Sequence, residues 1–213
     1  MKKSIIKAVL FFSLVLTSYN NFAQDEAAFD KGTVVVTGGY GFPDLYRGTL
    51  RVAFNSYNST TVKGFGPLIL KGDYGIVKFK WGHSVGAGMV IGFNATTVEY
   101  NYNYYVNWFT PVQNYHAVDK YKTITIGARG TYHFYTKEKF DCYASVGLGF
   151  NINSVNQTTN DPGGVSISAK KRSGVYEALT VGVRYYFTKN IGVYSELGWD
   201  MSAPIQGGIA IKF

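Results

Sequence analysis

Phe140-Asp141-Cys142-Tyr143-Ala144-Ser145-Val146-Gly147-Leu148-Gly149-Phe150-Asn151-Ile152-Asn153 is the stretch that decides the architecture. Its even positions are Phe, Cys, Ala, Val, Leu, Phe and Ile, whereas its odd positions are Asp, Tyr, Ser, Gly, Gly, Asn and Asn. Successive side chains of a strand point to opposite faces, so this segment belongs to a sheet with one apolar side and one small or polar side.

The same period of two recurs along the chain. Ile124, Ile126, Ala128, Tyr132 and Phe134 alternate with Thr123, Thr125, Gly127, Arg129, Thr131 and His133. Leu179, Val181, Val183, Tyr185 and Phe187 alternate with Thr180, Gly182, Arg184 and Tyr186; Ile191, Val193, Leu197 and Trp199 alternate with Gly192, Tyr194, Glu196, Gly198 and Asp200; Ile209, Ile211 and Phe213 close the chain. The polar face is rich in glycine, where a water-facing sheet would carry long Lys and Glu side chains. Small residues suit the crowded inside of a narrow barrel, so the apolar face is assigned to lipid and the small, polar face to the lumen. Strands are expected near 32–42, 66–76, 82–100, 118–135, 139–155, 173–188, 190–200 and 204–213. The fold class is all-β: an eight-stranded antiparallel transmembrane β-barrel. A soluble barrel is the alternative, and it requires Val146, Leu148 and Val181 to be enclosed.

The connections alternate in length. Val77–Lys80, Thr136–Glu138 and Thr188–Asn190 are short polar turns; 43–65, 101–117 and 156–172 are long, with a tight fourth at Met201–Pro204. In such barrels short turns face the periplasm and long loops face outward, which places both termini in the periplasm of a bacterial outer-membrane protein.

Residues 1–23 read as a cleaved signal peptide: Lys2, Lys3 and Lys7, then an apolar run from Ala8 to Leu16, then a polar exit. The run is far shorter than the roughly 20 residues of a spanning helix. Residues 24–213 are expected to form one barrel domain. The three leader lysines account for part of the formal net charge of +8, and what remains is too modest to imply a nucleic-acid partner. A single cysteine, Cys142, excludes an internal disulfide. Mean hydropathy is −0.04 and no long apolar run follows the leader, which excludes a helical membrane protein.

Gly39-Tyr40-Gly41-Phe42-Pro43, Gly66-Pro67-Leu68 leading to Lys71-Gly72-Asp73-Tyr74-Gly75, the turns Tyr135-Thr136-Lys137 and Phe187-Thr188-Lys189-Asn190, and the terminal Phe213 resemble the small outer-membrane β-barrel domain family. That family is similar in architecture to the eight-stranded barrels of outer-membrane proteins A, X and W. The resemblance covers the mature chain and implies the fold; family members have varied roles, so it implies no single activity. A terminal Phe on an alternating last strand resembles the signal read by the barrel assembly machinery, and the resemblance implies that machinery as a partner.

Lys71, Asp73, Arg129, Asp141, Arg184, Glu196 and Lys212 fall on the lumen face. An eight-stranded barrel is just wide enough to be filled by side chains, so these charges must pair. Arg129, Arg184 and Glu196, with Asp141, Lys71 and Asp73, are expected to form an ion-pair network that plugs the lumen; a gated pore is the alternative. His83 falls at a turn, His116 in a long loop and His133 on the lumen face near the periplasmic end. A Ser-His-acid hydrolase near the outer leaflet finds no constellation among them. No ligand spacing suggests a metal, and no cofactor is expected.

Tyr100, Tyr102, Tyr104, Tyr105, Trp108, Phe109 and Tyr115 crowd the second long loop. They read either as the outer aromatic girdle or as a surface for an unknown partner, glycan or apolar solute, with Tyr102, Tyr104, Tyr105, Trp108 and Phe109 as the cluster. Lys170-Lys171-Arg172 could attract lipopolysaccharide phosphates. The functional expectation is an integral outer-membrane barrel with a plugged lumen, not an enzyme, acting as a structural or surface-interaction protein through its long loops. Its surroundings would be outer-membrane lipid and lipopolysaccharide; a narrow channel for small or hydrophobic solutes is the second reading.

Overall fold

The computed structural model describes residues 27–104, 112–161 and 173–213, with the backbone alone for Asn58 and Tyr104. The signal-peptide reading lies outside the described residues. The element order is β1 (Val34–Phe42), α1 (Leu45–Ala53), β2 (Asn58–Lys78), β3 (Ser84–Tyr104), β4 (Gln113–Thr136), β5 (Phe140–Thr159), β6 (Gly174–Tyr186), β7 (Ile191–Asp200) and β8 (Ala203–Lys212). The eight strands pair antiparallel with their sequence neighbours, and β8 closes on β1 from Val35↔Lys212 to Phe42↔Ile205. Closure removes every sheet edge along the ladder, as a strand structure in lipid requires.

The alternation read from the sequence sets which face points where. Val146, Leu148 and Val181 are 59%, 67% and 56% exposed, while Arg184 and Glu196 are almost fully buried. A soluble barrel would have these the other way round, so the wall is the apolar belt of a membrane-spanning barrel.

The wall is uneven. β2 to β5 run 20 to 24 residues, whereas β1, β7 and β8 have only 9 or 10. About 9–11 tilted residues suffice to cross a bilayer, so the long strands project well past the belt. The row Leu68–Phe93–Ile124–Ile152 is the last apolar one on the outer face. Beyond it the outer face turns polar at Lys122, Lys120, Ser154 and Asn156, and the inner face becomes aromatic.

This projection corrects three connections. The 43–65 segment is not all loop: α1 occupies its start, and β2 begins at Asn58. β3 and β4 extend through Tyr104 and from Gln113, so much of 101–117, including His116, is strand; β5 likewise runs to Thr159. At the opposite end β2 continues through Lys78, leaving the turn to 79–83. The tight connection between β7 and β8 is formed by Met201 and Ser202, whose φ values of 48° and 60° are both left-handed, as a two-residue primed hairpin turn needs.

α1 forms because Asp44 caps it, accepting a hydrogen bond from the Arg47 amide at 3.1 Å. Tyr46, Leu50 and Phe54 recur at intervals of four and share one face. That face packs on Val98, Tyr100, Tyr102, Tyr115, Ala117 and Tyr121 of the projecting sheet.

Candidate functional site in the lumen and at the helix end

The lumen face brings together six of the charged residues expected there, with Asp200 and the neutral Gln206 added. Lys71 on β2 donates to Glu196 on β7 and to Gln206 Oε1 on β8 at 2.7 Å, and lies 2.8 Å from Asp200 Oδ2. Arg129 on β4 reaches Glu196 Oε1 at 3.1 Å and sets Nε 3.3 Å from Asp73 Oδ1. Arg184 on β6 donates to Asp73 and, at 3.4 Å, to Asp141. Arg184 does not touch Glu196; Asp73 links the two arginines instead. β2 and β6 stand four strands apart in a ring of eight, so the Arg184–Asp73 pair crosses the full width of the lumen. Tyr143 and Thr180 donate the remaining hydrogen bonds to Glu196, at 2.8 and 3.2 Å. Asp200 and Gln206 were missed in the sequence, although Asp200 shares the parity of Glu196. Lys212 is half-buried with its ammonium 5.4 Å from the Tyr186 ring centroid.

Space for these side chains comes from glycine. A Cβ at Gly182 would lie 2.5 Å from Cζ of Tyr143, the residue paired with it across β5 and β6. With no side chain there, the Tyr143 ring lies flat over β6 and faces the Arg184 guanidinium at 4.3 Å.

His133 is fully buried, its Nδ1 2.8 Å from Asp141 Oδ1 and its Nε2 3.0 Å from Thr131 Oγ1. Hydroxyl, imidazole and carboxylate are thus in the order of a hydrolytic triad. Phe29 stacks on the imidazole at 3.7 Å between centroids and 8° between planes, and Thr131 is itself buried. Thr131, His133 and Asp141 are thus all enclosed on the lumen face beneath Phe29. Phe29 arrives with Ala28, whose amide donates to the Lys137 carbonyl at 2.7 Å; both side chains are fully buried at the short-turn end.

At the helix end the aromatic residues are inside, not in a girdle: Tyr100, Tyr102 and Tyr115 are all buried. Asp119 accepts from the hydroxyls of Tyr100 and Tyr121 at 3.4 Å each, and Tyr102 donates to Asp161 at 2.9 Å. Burial, and next the Asp119 carboxylate, push the phenols of Tyr100 and Tyr121 above the ordinary tyrosine range. Burial and Asp44 raise Tyr46 to about 12. Of the other residues of the expected cluster, Tyr104 lies at the end of β3, and Tyr105, Trp108 and Phe109 lie outside the described residues, as do Lys170, Lys171 and Arg172. His116 is exposed on β4, 3.0 Å from Asn101 Oδ1.

Between α1 and the short wall lies a cup of about 290 Å³. Asp44 ties its rim together: it accepts from Asn94 on β3 at 3.1 Å and pairs with Arg47, whose guanidinium also donates to the Gly66 carbonyl. The Leu45 amide donates to the Ser202 carbonyl at 2.9 Å, and the Met201 side chain lies against Gly92, so the β7–β8 hairpin tip folds over the mouth. β6 begins at Gly174, but its pairing with β7 starts only at Leu179↔Trp199, which leaves the cup open at the side among the described residues.

The fold and its lipid-facing belt define a transmembrane β-barrel of the outer-membrane type. No protein-family model and no curated protein sequence matches the chain. Among solved structures it is similar to Ail, the attachment invasion locus protein of Yersinia pestis, solved in complex with the heparin analogue sucrose octasulfate: 14% identity, TM-score 0.38, covering 86% of this chain and 99% of that one. It is also similar to the N-terminal β-barrel domain of OprF from Pseudomonas aeruginosa: 14% identity, TM-score 0.36, covering 88% and 100%.

Proposed function

We propose that the protein is a non-conducting, non-enzymatic outer-membrane barrel that serves as a pedestal for the structure at its helix end. The helix end faces outward and both termini face the periplasm. The observation that carries this reading is the lumen cross-section: Lys71, Asp73, Arg129, Asp141, Arg184 and Glu196 interlock across strands that are not neighbours, so any solute would have to break a buried ion pair to pass. Separating one such pair without compensation costs about 3–5 kcal/mol.

Outward orientation also accounts for three exposed lysines just past the last apolar row. Lys63 and Lys120 both pair with Thr97 across the ladder, and Lys122 lies two residues nearer the belt. At that height they complement the phosphates of outer-leaflet lipid, lipopolysaccharide included. The terminal Phe213 suits insertion by the barrel assembly machinery.

Planar-bilayer recording of the purified, folded protein tests the plug. A quiet trace is the expected result, with steps appearing when Arg184 and Arg129 are both replaced by Ala. A large, persistent step from the unmodified chain overturns the plug and favours the narrow channel.

A further inference from the structure

We propose that the cup at the helix end is a binding site for one neutral saccharide unit. The proposal rests on the outward orientation argued above, and its chemistry comes from the lining. The volume of about 290 Å³ lies at the low end of the ~300–1,000 Å³ of small-molecule sites, which is room for one ring-sized ligand. Amides and hydroxyls dominate the polar wall, through Asn94, Asn151 and Ser202, while Trp199 and Tyr46 bring aromatic surface. A sugar ring presents hydroxyls that both donate and accept, together with an apolar C–H face that suits an aromatic ring.

The Ser202 hydroxyl can both donate and accept. Asn94 is held by Asp44 through its Nδ2, and its Oδ1 is enclosed in the wall without a partner. Asn151 is held in place from both sides, accepting from Thr125 Oγ1 at 2.6 Å and donating to the Val175 carbonyl at 3.2 Å, so its position is set before any ligand arrives. The charge of the lining disfavours anions: Glu177 is the charged residue among the described lining residues. A sulfated or phosphorylated sugar would meet that carboxylate, while the cations behind the wall, Arg47 and Lys71, are already held by Asp44 and by Glu196 and Asp200.

The side opening above Leu179↔Trp199 lies level with the upper edge of the belt, so the unit could belong to a free glycan or to a glycolipid headgroup. The test uses the full mature chain folded in a zwitterionic detergent without a sugar headgroup. Trp81→Phe and Trp108→Phe leave Trp199 as the single tryptophan, and its fluorescence is followed against methyl β-glucoside and octyl β-glucoside. Saturable quenching by both is expected, weakened at least tenfold in Asn151→Leu, and also in Ser202→Gly, which removes the hydroxyl, suits the left-handed φ of 60° and leaves the wall intact should Asn151→Leu not fold. Trp199 is 57% exposed on the lipid-facing side, where octyl glucoside in the micelle also reaches it, so only quenching that Asn151→Leu or Ser202→Gly weakens reports the cup. For that part, equal affinities assign the site to free glycans, and tighter binding of the octyl glycoside assigns it to lipid-linked ones. The proposal is overturned if neither glycoside gives quenching that depends on Asn151 or Ser202 in protein that is folded by gel mobility, or if sucrose octasulfate binds as tightly as they do. The conductance experiment reads the lumen alone, so failure of the cup leaves the plug standing and the reverse also holds.

Discussion

Glu196 accepts hydrogen bonds from Lys71, Arg129, Tyr143 and Thr180, which reach it from β2, β4, β5 and β6. One carboxylate thus ties half the wall together from within. Replacing Glu196 with Leu leaves Lys71 and Arg129 buried beside a hydrocarbon, and the loss should be about 3–5 kcal/mol. Urea titration of the folded form, read by unboiled gel mobility, measures it. Adding Lys71→Met should deepen the loss, because buried Asp200 then loses the ammonium 2.8 Å from it. Gly182→Val is the complementary probe: the new side chain meets the Tyr143 ring, so overpacking should cost about 1–3 kcal/mol in the same titration. A Gly147→Ala change, whose Cβ would meet Ala178 at 3.2 Å, should cost less.

At the scale of elements, the strands were legible because lipid and lumen impose opposite polarity on alternate residues. Beyond the belt that rule fails for a physical reason. The parity of β3 is unbroken from Gly92 through Asn94, Thr96, Val98, Tyr100 and Tyr102, but the medium outside the wall changes from hydrocarbon to water. The inward side chains therefore become aromatic and the outward ones polar, which made the strand ends read as a loop with a girdle. α1 was missed although Asp44 and the Tyr46, Leu50, Phe54 spacing announce it; nine residues carry little helical signal of their own, and the packing against Tyr100 and Tyr121 stabilises them. Leu50→Asp should release α1 and make the 43–57 segment cleavable by protease in otherwise folded protein. Alkali should do likewise. Tyr100 and Tyr121 have raised values in the fold, so their contribution is fully present below the unfolded value of about 10 and is lost as pH rises through the folded values. Limited proteolysis at pH 9 and pH 11 should differ, and Tyr100→Phe should reduce the difference.

At the scale of the whole molecule, a tall half-wall of β2 to β5 stands beside a short one of β6 to β8 and β1, and charge is distributed to match. Lys63, Lys120 and Lys122 sit on the outer face of the tall half, where it leaves the belt. Replacing all three with Glu should reduce the lipopolysaccharide retained through purification at least severalfold while leaving the gel-mobility shift unchanged; retention equal to that of the unmodified protein would remove these lysines from the lipid contact.

Phe29 lies only a few residues before β1, yet its seat is made by His133 of β4, with Arg184 of β6 5.8 Å from its ring. Among the earliest described residues of the chain, it is therefore among the last to find a place, because the seat does not exist until the strands have closed into a ring. A chain stalled before closure would hold Phe29 in water, open to any protease that trims unstructured ends. Protection of this segment is thus a clock for insertion: in a pulse of protease during folding, resistance at residues 27–33 should appear after resistance in the β3–β4 hairpin.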